Sequence, residues 1–218
     1  MPTIKKRSLT DQVYEKLRSN IITLKLPLGS RLNVNELQQS LGVSCTPIRE
    51  AINRLQLEGL VTYENNVGAR VLTMDTHDVE EIQQLAMTLH CAAIRLAMNY
   101  ESHDILAAEL EKYLDDYKHA KTIQSTVMSV NHFVGTFYHH CGNRRLDSSM
   151  ISIQGQQLLL RYIYAINKDS KKNPADFEKM IIEVRNSDAD AVCRALQTNA
   201  DASMPVLLSY VQKSGGKA

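Results

Sequence analysis

The chain has 218 residues, 44% of them hydrophobic and 22% charged, with 9 Gly and 5 Pro. That length suits one large or two small domains with a real core, which excludes wholesale disorder, collagen-like repeats and low-complexity sequence. Formal net charge is +1, no run of about 18 apolar residues offers a membrane span, and nothing of signal-peptide type follows Lys5, Lys6 and Arg7. Cys45, Cys91, Cys141 and Cys193 are widely spaced and form no C-x-x-C pair, a pattern of free thiols that points to a reducing, cytoplasmic setting. The even net charge hides an asymmetry. Residues 1–75 carry ten basic and seven acidic side chains, +3, and the remainder carries −2. A modestly basic head on a mildly acidic body suits nucleic-acid reading, although charge alone does not separate that from chance.

The first helix starts at a capping box, Ser8 with Asp11, and runs through Val13, Leu17, Ile21 and Leu24 at helical period before Pro27-Leu28-Gly29 breaks it. Asn33 with Glu36 marks a second, short helix through Leu37 and Leu41, closed by Gly42. In the stretch that follows, Pro47 reads as the first helical position behind the capping hydroxyl of Thr46. Ile48, Ile52 and Leu55 share one face, with Arg49 and Asn53 on the other. Two short helices around a Gly-containing turn predict a helix-turn-helix whose second helix enters the major groove. After Gly59, Leu60–Tyr63, a turn at Glu64-Asn65-Asn66 and Val67–Leu72 predict a β-hairpin, with Gly68 near its tip and Arg70 facing away from the apolar side. Helix-turn-helix plus hairpin is a winged helix.

Residues 9–72 resemble the winged-helix domain of the GntR family of bacterial transcription regulators. The matching pieces are Pro27-Leu28-Gly29-Ser30-Arg31-Leu32, Gly42-Val43-Ser44, Thr46-Pro47-Ile48-Arg49-Glu50-Ala51 and Arg54-Leu55 through Glu58-Gly59-Leu60-Val61, in the family's order and spacing. The resemblance implies DNA contacts from Ser44, Thr46 and Arg49. The planar guanidinium of Arg49 would read a base or clamp a phosphate, and the hydroxyls would serve phosphates. It also implies an approach of the wing at Gly68, with Arg70 reaching phosphates or the minor groove, and makes Glu50 a structural partner for a nearby basic group. The sequence departs from the family at Asn35 and Cys45, where arginine is usual. Each lost base-reading pair is worth about 1–3 kcal/mol, so sequence preference, affinity or both should differ. Cys45 is either a small turn residue or a thiol switch near DNA.

Beyond a short linker at Thr73-Met74-Asp75-Thr76, the pattern is helical throughout. Helices are predicted at Asp78–Tyr100, Asp104–Ala120 behind a Ser102 cap, Gln124–Cys141, Arg145–Asn167, Pro174–Asn186 and Asp188–Tyr210, the last kinked or broken at Pro205. The fold class is therefore mainly α: a winged helix-turn-helix of three helices and a hairpin over residues 1–74, then an all-α bundle of about six helices over 75–218. That tail resembles the FCD domain of the FadR-like GntR branch, which implies dimer formation and a small-molecule effector. The family's metal ligands would fall at Val130, Val134, Phe177 and Asn199, so the metal site is expected to be lost and no cofactor is expected. A slip in register would involve His132 or His139 instead. The Arg and Glu that help the family hold acidic metabolites would fall at Ala86 and His90, which argues against an anion held by metal and arginine. Val130, Val134 and Phe177, with His90 and Asn199 as polar handles, either line an apolar effector cavity or pack as core. His139, His140 and Cys141 are consecutive and so point apart on a helix, a structural rather than catalytic arrangement. The tyrosines at 113, 117, 162 and 164 read as core or helix interface.

The reading is a cytoplasmic, homodimeric regulator that binds a short palindromic operator in double-stranded DNA and is controlled by a small metabolite, with repression the outcome the resemblance implies. The rival is a constitutive dimeric DNA binder whose bundle takes no effector. An enzyme carrying a DNA module finds no paired carboxylates, P-loop or metal-ligand set in the sequence.

Overall fold

The computed structural model describes residues 7–64, 68–168 and 173–215. The chain forms a winged head and a helical bundle, with nine helices and one two-stranded sheet among the described residues. In the head, α1 (Leu9–Ile22) starts at the reciprocal Ser8–Asp11 capping box and buries Val13, Leu17 and Ile21. It stops before Leu24, which takes a left-handed φ of 56°. Next, α2 (Val34–Leu41) ends at the left-handed Gly42, and α3 (Cys45–Leu57) buries Ile48, Ala51, Ile52 and Leu55. Ser44, rather than Thr46, is the N-cap of α3, which puts Pro47 at the third helical position. A proline fits there because the N–H it lacks would have no intrahelical partner. The hairpin pairs β1 (Val61–Glu64) with β2 (Gly68–Val71), Val61 opposite Val71 and Glu64 opposite Gly68. Residues 65–67, and with them the predicted turn at Asn65 and Asn66, lie outside the described residues, as do Lys5 and Lys6.

The bundle comprises α4 (Thr76–Tyr100), α5 (His103–His119), α6 (Ile123–His140), α7 (Arg144–Asn167), α8 (Ala175–Arg185) and α9 (Ala189–Gly215). Asp75 caps α4 in a capping box with Asp78, so the linker is shorter than the sequence suggested. Ser102 sits at the N-cap of α5 without a side-chain capping bond. Pro205 neither breaks nor ends α9, which continues to Gly215. One missing backbone bond is outweighed because the segment beyond it buries Leu207 and Val211.

Those two residues reach the core of the head. Val13, Leu17, Ile48 and Ile52 share one apolar cluster with Val79 and Ile82 of α4, Leu159, Leu160 and Ile163 of α7, and Leu207 and Val211 of α9. The closest approach is at α7. A Cβ on Gly155 would sit 2.7 Å from Leu60, and one on Gly59 would sit 2.6 Å from Gln156 Nε2. Gln156 Nε2 donates to the Gly59 carbonyl at 3.2 Å. The C-terminal end of α3 is therefore seated on the middle of α7. Because α7 is covered by the head on one side and the bundle on another, Leu158, Leu159 and Leu160 are all buried in succession.

Candidate nucleic-acid interface and bundle cavity

At the start of α3, Ser44, Thr46 and Arg49 are all exposed, as is Asn35 on α2. The Ser44 hydroxyl makes no capping bond, and Pro47 at the third helical position removes the N–H such a bond usually takes. That hydroxyl and the free N–H groups of the first turn form the positive end of a helix, suited to a phosphate. Cys45 points back to α2, where its thiol donates to Gln38 Oε1 at 2.9 Å. Glu50 accepts from Thr10 Oγ1 at 2.7 Å, so its partner is a hydroxyl rather than a cation.

Carboxylates occupy most of the neighbouring arginines. Arg54 pairs with Asp11 at 2.8 Å and lies 4.0 Å over the Tyr14 ring, and Arg18 pairs with Glu58 at 2.8 Å. Tyr14 also donates to Glu58, and its burial beside that carboxylate pushes the phenol up to about 12. Arg70, expected to reach DNA, is instead turned inward: Nη1 donates to the Gly29 carbonyl at 2.8 Å and Nε pairs with Glu64 at 3.0 Å. Its place in β2, opposite Arg31 in the next backbone segment, makes it the brace between wing and the loop after α1. Gly68 opens β2 with a φ of 97° and open space where a Cβ would project.

In the bundle, His90, Val130, Val134, Phe177 and Asn199 come together around one cavity of about 420 Å³. His90 is buried, and desolvation holds its pKa down at about 3, so the ring is neutral; Nδ1 lies 2.9 Å from the Tyr138 hydroxyl. Asn199 Nδ2 donates to Asp176 Oδ2 at 3.0 Å. Phe177 stacks at an angle on Phe133 and Tyr117, with centroids 5.0 and 5.2 Å away. Ala86 instead packs with Met150 and Ile153. Sequence reasoning missed Arg161 and Gln157 of the cavity and Asn131 of the neighbouring cleft, and it read Tyr117 and Tyr164 as packing only, whereas both line the cavity. The available signal was an arginine inside the apolar run Leu158–Ile166.

Three of the four positions where the resemblance implies metal ligands hold hydrocarbon side chains, and Asn199 offers only an amide. Such a set does not suit a transition metal. His132 is exposed against Tyr113, and His139 is exposed on a neighbouring cleft, so neither replaces the missing ligands. Among the described residues no three His, Cys, Asp or Glu side chains are arranged so that they could hold a metal ion. His140 is clamped between Glu101 and Glu109 at 3.1 and 2.8 Å, while Cys141 is buried and donates to the Tyr138 carbonyl. That arrangement is structural. All four cysteines are free thiols.

Comparison with known proteins gives the same two parts. Residues 9–71 match the bacterial regulatory proteins of the gntR family, and residues 81–202 match the FCD domain. An uncharacterized HTH-type transcriptional regulator, YdhC of Bacillus subtilis, is 31% identical over 50% of this chain and 48% of its own length. A Streptomyces ambofaciens regulator is 39% identical over 45% of this chain, and the match spans 38% of that relative. The chain thus spans half or less of the length of these relatives. The HTH-type transcriptional regulator McbR of Escherichia coli is 29% identical over 73% of this chain and 74% of its own. In fold, the chain is similar to E. coli McbR/YncC, with a TM-score of 0.70 over 94% of this chain and 99% of that one at 24% identity. A GntR transcriptional regulator from Rhodococcus sp. RHA1 gives a TM-score of 0.73 over 93% of this chain and 99% of that one at 20% identity. These are regulators rather than enzymes. No helix among the described residues is long and apolar enough to cross a membrane. The winged head and the matched second domain together place the chain in the gntR family of bacterial regulatory proteins, with an FCD domain as its second part.

Proposed function

We propose that the protein is a cytoplasmic, homodimeric transcription regulator that binds a short palindromic operator and represses, under control of a small molecule held in the bundle. The observation that carries the DNA reading is Arg49. It stands exposed on the first turns of α3 with no carboxylate partner among the described residues, while Arg18, Arg54 and Arg70 are all paired. Ser44 and Thr46 flank it with exposed hydroxyls. Guanidinium to a guanine edge or a phosphate is the contact this geometry favours. Selection of bound fragments from genomic DNA, followed by a salt titration, tests it: a short palindrome with steep salt dependence is expected, and recovery of no consensus sinks the reading.

Support for a dimer comes from α4, where Leu85, Leu89, Leu96 and Tyr100 recur on one face and remain exposed or half-buried. A second copy would cover that stripe and place two heads in two-fold relation. Support for effector control comes from the junction of α3 with α7. Gln156 and Gly155 hold the end of the recognition helix, and Gln157, Leu160 and Arg161 of the next turn line the cavity. A ligand that binds one placement of α7 better would shift the heads by that difference in affinity. The substitution of the metal-ligand positions by hydrocarbon favours a second reading, a constitutive binder whose bundle only dimerises. An operator affinity that no metabolite changes supports that alternative.

A further inference from the structure

Two thiols meet where α4 lies against α9. Arg95 of α4 pairs with Asp190 of α9 at 3.0 Å. One turn back along α4 is Cys91, and one turn on along α9 is Cys193. The two helices run antiparallel here, so the cysteines face each other. Cys193 Sγ lies 3.9 Å from the Cys91 carbonyl oxygen, and the two thiols are in hydrogen-bonding contact. Burial first, and then the Cys91 thiol, push the Cys193 thiol up to about 12, so it keeps its proton at neutral pH. The other two cysteines have different partners: Cys45 donates to Gln38, and Cys141 to the Tyr138 carbonyl.

Packed helices stand about 8–10 Å apart with Cα atoms on a radius of about 2.3 Å, so facing positions come within the Cα separation a disulfide spans, about 4.4–6.8 Å. Access to the pair is one-sided. Cys193 is buried, whereas Cys91 is half-buried and lines a groove of about 630 Å³ between α4 and α9. Gln84, Arg95, Gln197 and Asp201 give that groove a polar lining. At about 100° per residue, Cys91 stands roughly opposite the α4 stripe of Leu85, Leu89, Leu96 and Tyr100, so a second copy on that stripe would leave the groove open. A negative charge on Cys91 would meet the Cys193 S–H as a donor and the Arg95 guanidinium one turn away. The room and the polar walls suit a small disulfide, whose two arms need space beside the attacking sulfur.

We propose that Cys91 and Cys193 form a reversible dithiol site that takes a small disulfide as its substrate and closes to a bond between α4 and α9. The Cys91 thiolate attacks one sulfur of the incoming disulfide. That S–S bond breaks, one small thiolate leaves, and a mixed disulfide stands on Cys91. Cys193 loses its proton, its sulfur attacks Cys91 Sγ, and the second small thiolate departs. The two cysteine protons end on the two small thiols. The protein dithiol is oxidised and the small disulfide reduced, and excess small thiol reverses both steps. Val79 and Ile82 of α4 and Leu207 and Val211 of α9 all belong to the core of the head, so the bond ties two of its supports together. This chemistry is independent of whether the bundle holds an effector.

The test incubates the full chain in oxidised or reduced glutathione, followed by an acid quench and peptide mapping. The oxidised buffer should join the peptides of Cys91 and Cys193, and transfer to the reduced buffer should release them. The joined chain should melt at a higher temperature than the reduced one, because the bond closes a loop of about 100 residues in the unfolded state. Cys193→Ser should stop at a glutathione adduct on Cys91, and Cys91→Ser should leave Cys193 unmodified, with circular dichroism reporting the fold of both. Buried Cys141 reports any passage through the unfolded chain and should stay a free thiol. Several results overturn the proposal: a wild-type chain that stops at the mixed disulfide or stays reduced, oxidation that takes Cys141 as well, and a melting temperature that does not rise. So do an adduct on Cys193 in Cys91→Ser and the lack of one on Cys91 in Cys193→Ser.

Discussion

In the head, Arg18, Arg54 and Arg70 each meet a carboxylate within 3.0 Å, whereas in the bundle Arg161 has the amide of Asn131 as its hydrogen-bond partner among the described residues. The Arg54 and Arg70 pairs are partly exposed and each contributes at most about 1 kcal/mol, so they serve chiefly to orient α1, α3 and the wing. Arg49 has no carboxylate partner among the described residues, so its guanidinium is available to an outside partner. In the bundle the same residue type is half-buried at the wall of a cavity, where an unanswered charge costs more than at the open surface. One region spends its arginines on holding a surface in shape, and the other sets one at a cavity wall.

The largest test of this division concerns whether head and bundle are separable at all. Leu60→Ala empties the slot beside Gly155 and should cost about 2–5 kcal/mol. Because the core of the head includes residues of α4, α7 and α9, calorimetry should show one transition moving down as a whole. Two resolved transitions would mean the head folds alone. A comparable effect across its full pH window comes from His90, whose folded pKa of about 3 lies below its ordinary 6.5. Below pH 6.5 the unfolded chain takes up a proton that the folded chain refuses until about pH 3. Stability is therefore lost as pH falls through that window, by about 1.4 kcal/mol per pH unit. His90→Gln should flatten the acid limb of a melting-temperature profile, and an unchanged slope removes His90 as its cause.

Arg49→Ala should weaken operator binding by about 1–3 kcal/mol, with helical content and melting temperature unchanged. Equal affinity in gel-shift titrations would transfer the role to another head residue. The smallest expected effect is at the first helix start: Ser8→Ala removes the capping box and should cost about 1 kcal/mol by urea titration, without touching the cavity.

The helices were legible in the sequence because periodicity, caps and glycines agree along the chain. The bounds of α4 to α8 fall within about two residues of those the pattern implies. The start of α3 was misread by two positions, since Thr46-Pro47 and Ser44 both offer a plausible cap and only packing decides. Pro205 was overweighted because the burial of Leu207 and Val211 is a tertiary fact. The five cavity residues were named from a resemblance, and they do share one cavity. Arg161 was not named. Its surroundings depend on Asn131, 30 residues earlier, and on His90, both brought alongside only when α4, α6 and α7 pack. The partners of Arg70 were illegible for a similar reason: strand alternation gives its side of the hairpin but not the Gly29 carbonyl that accepts from it.

Val13 and Leu17 share their cluster with Leu207 and Val211, and this bears on the order in which the protein is made. The winged head leaves the ribosome first, yet its apolar interior stays incomplete until α9 has been synthesised. At bacterial translation speeds that interval is roughly 7–30 s, during which the DNA-reading helix stands on a base that lacks its final supports. A fragment arrested before Leu207 is therefore expected to hold its helix-turn-helix less firmly than the full chain does, because it lacks the part of the shared cluster that Leu207 and Val211 supply.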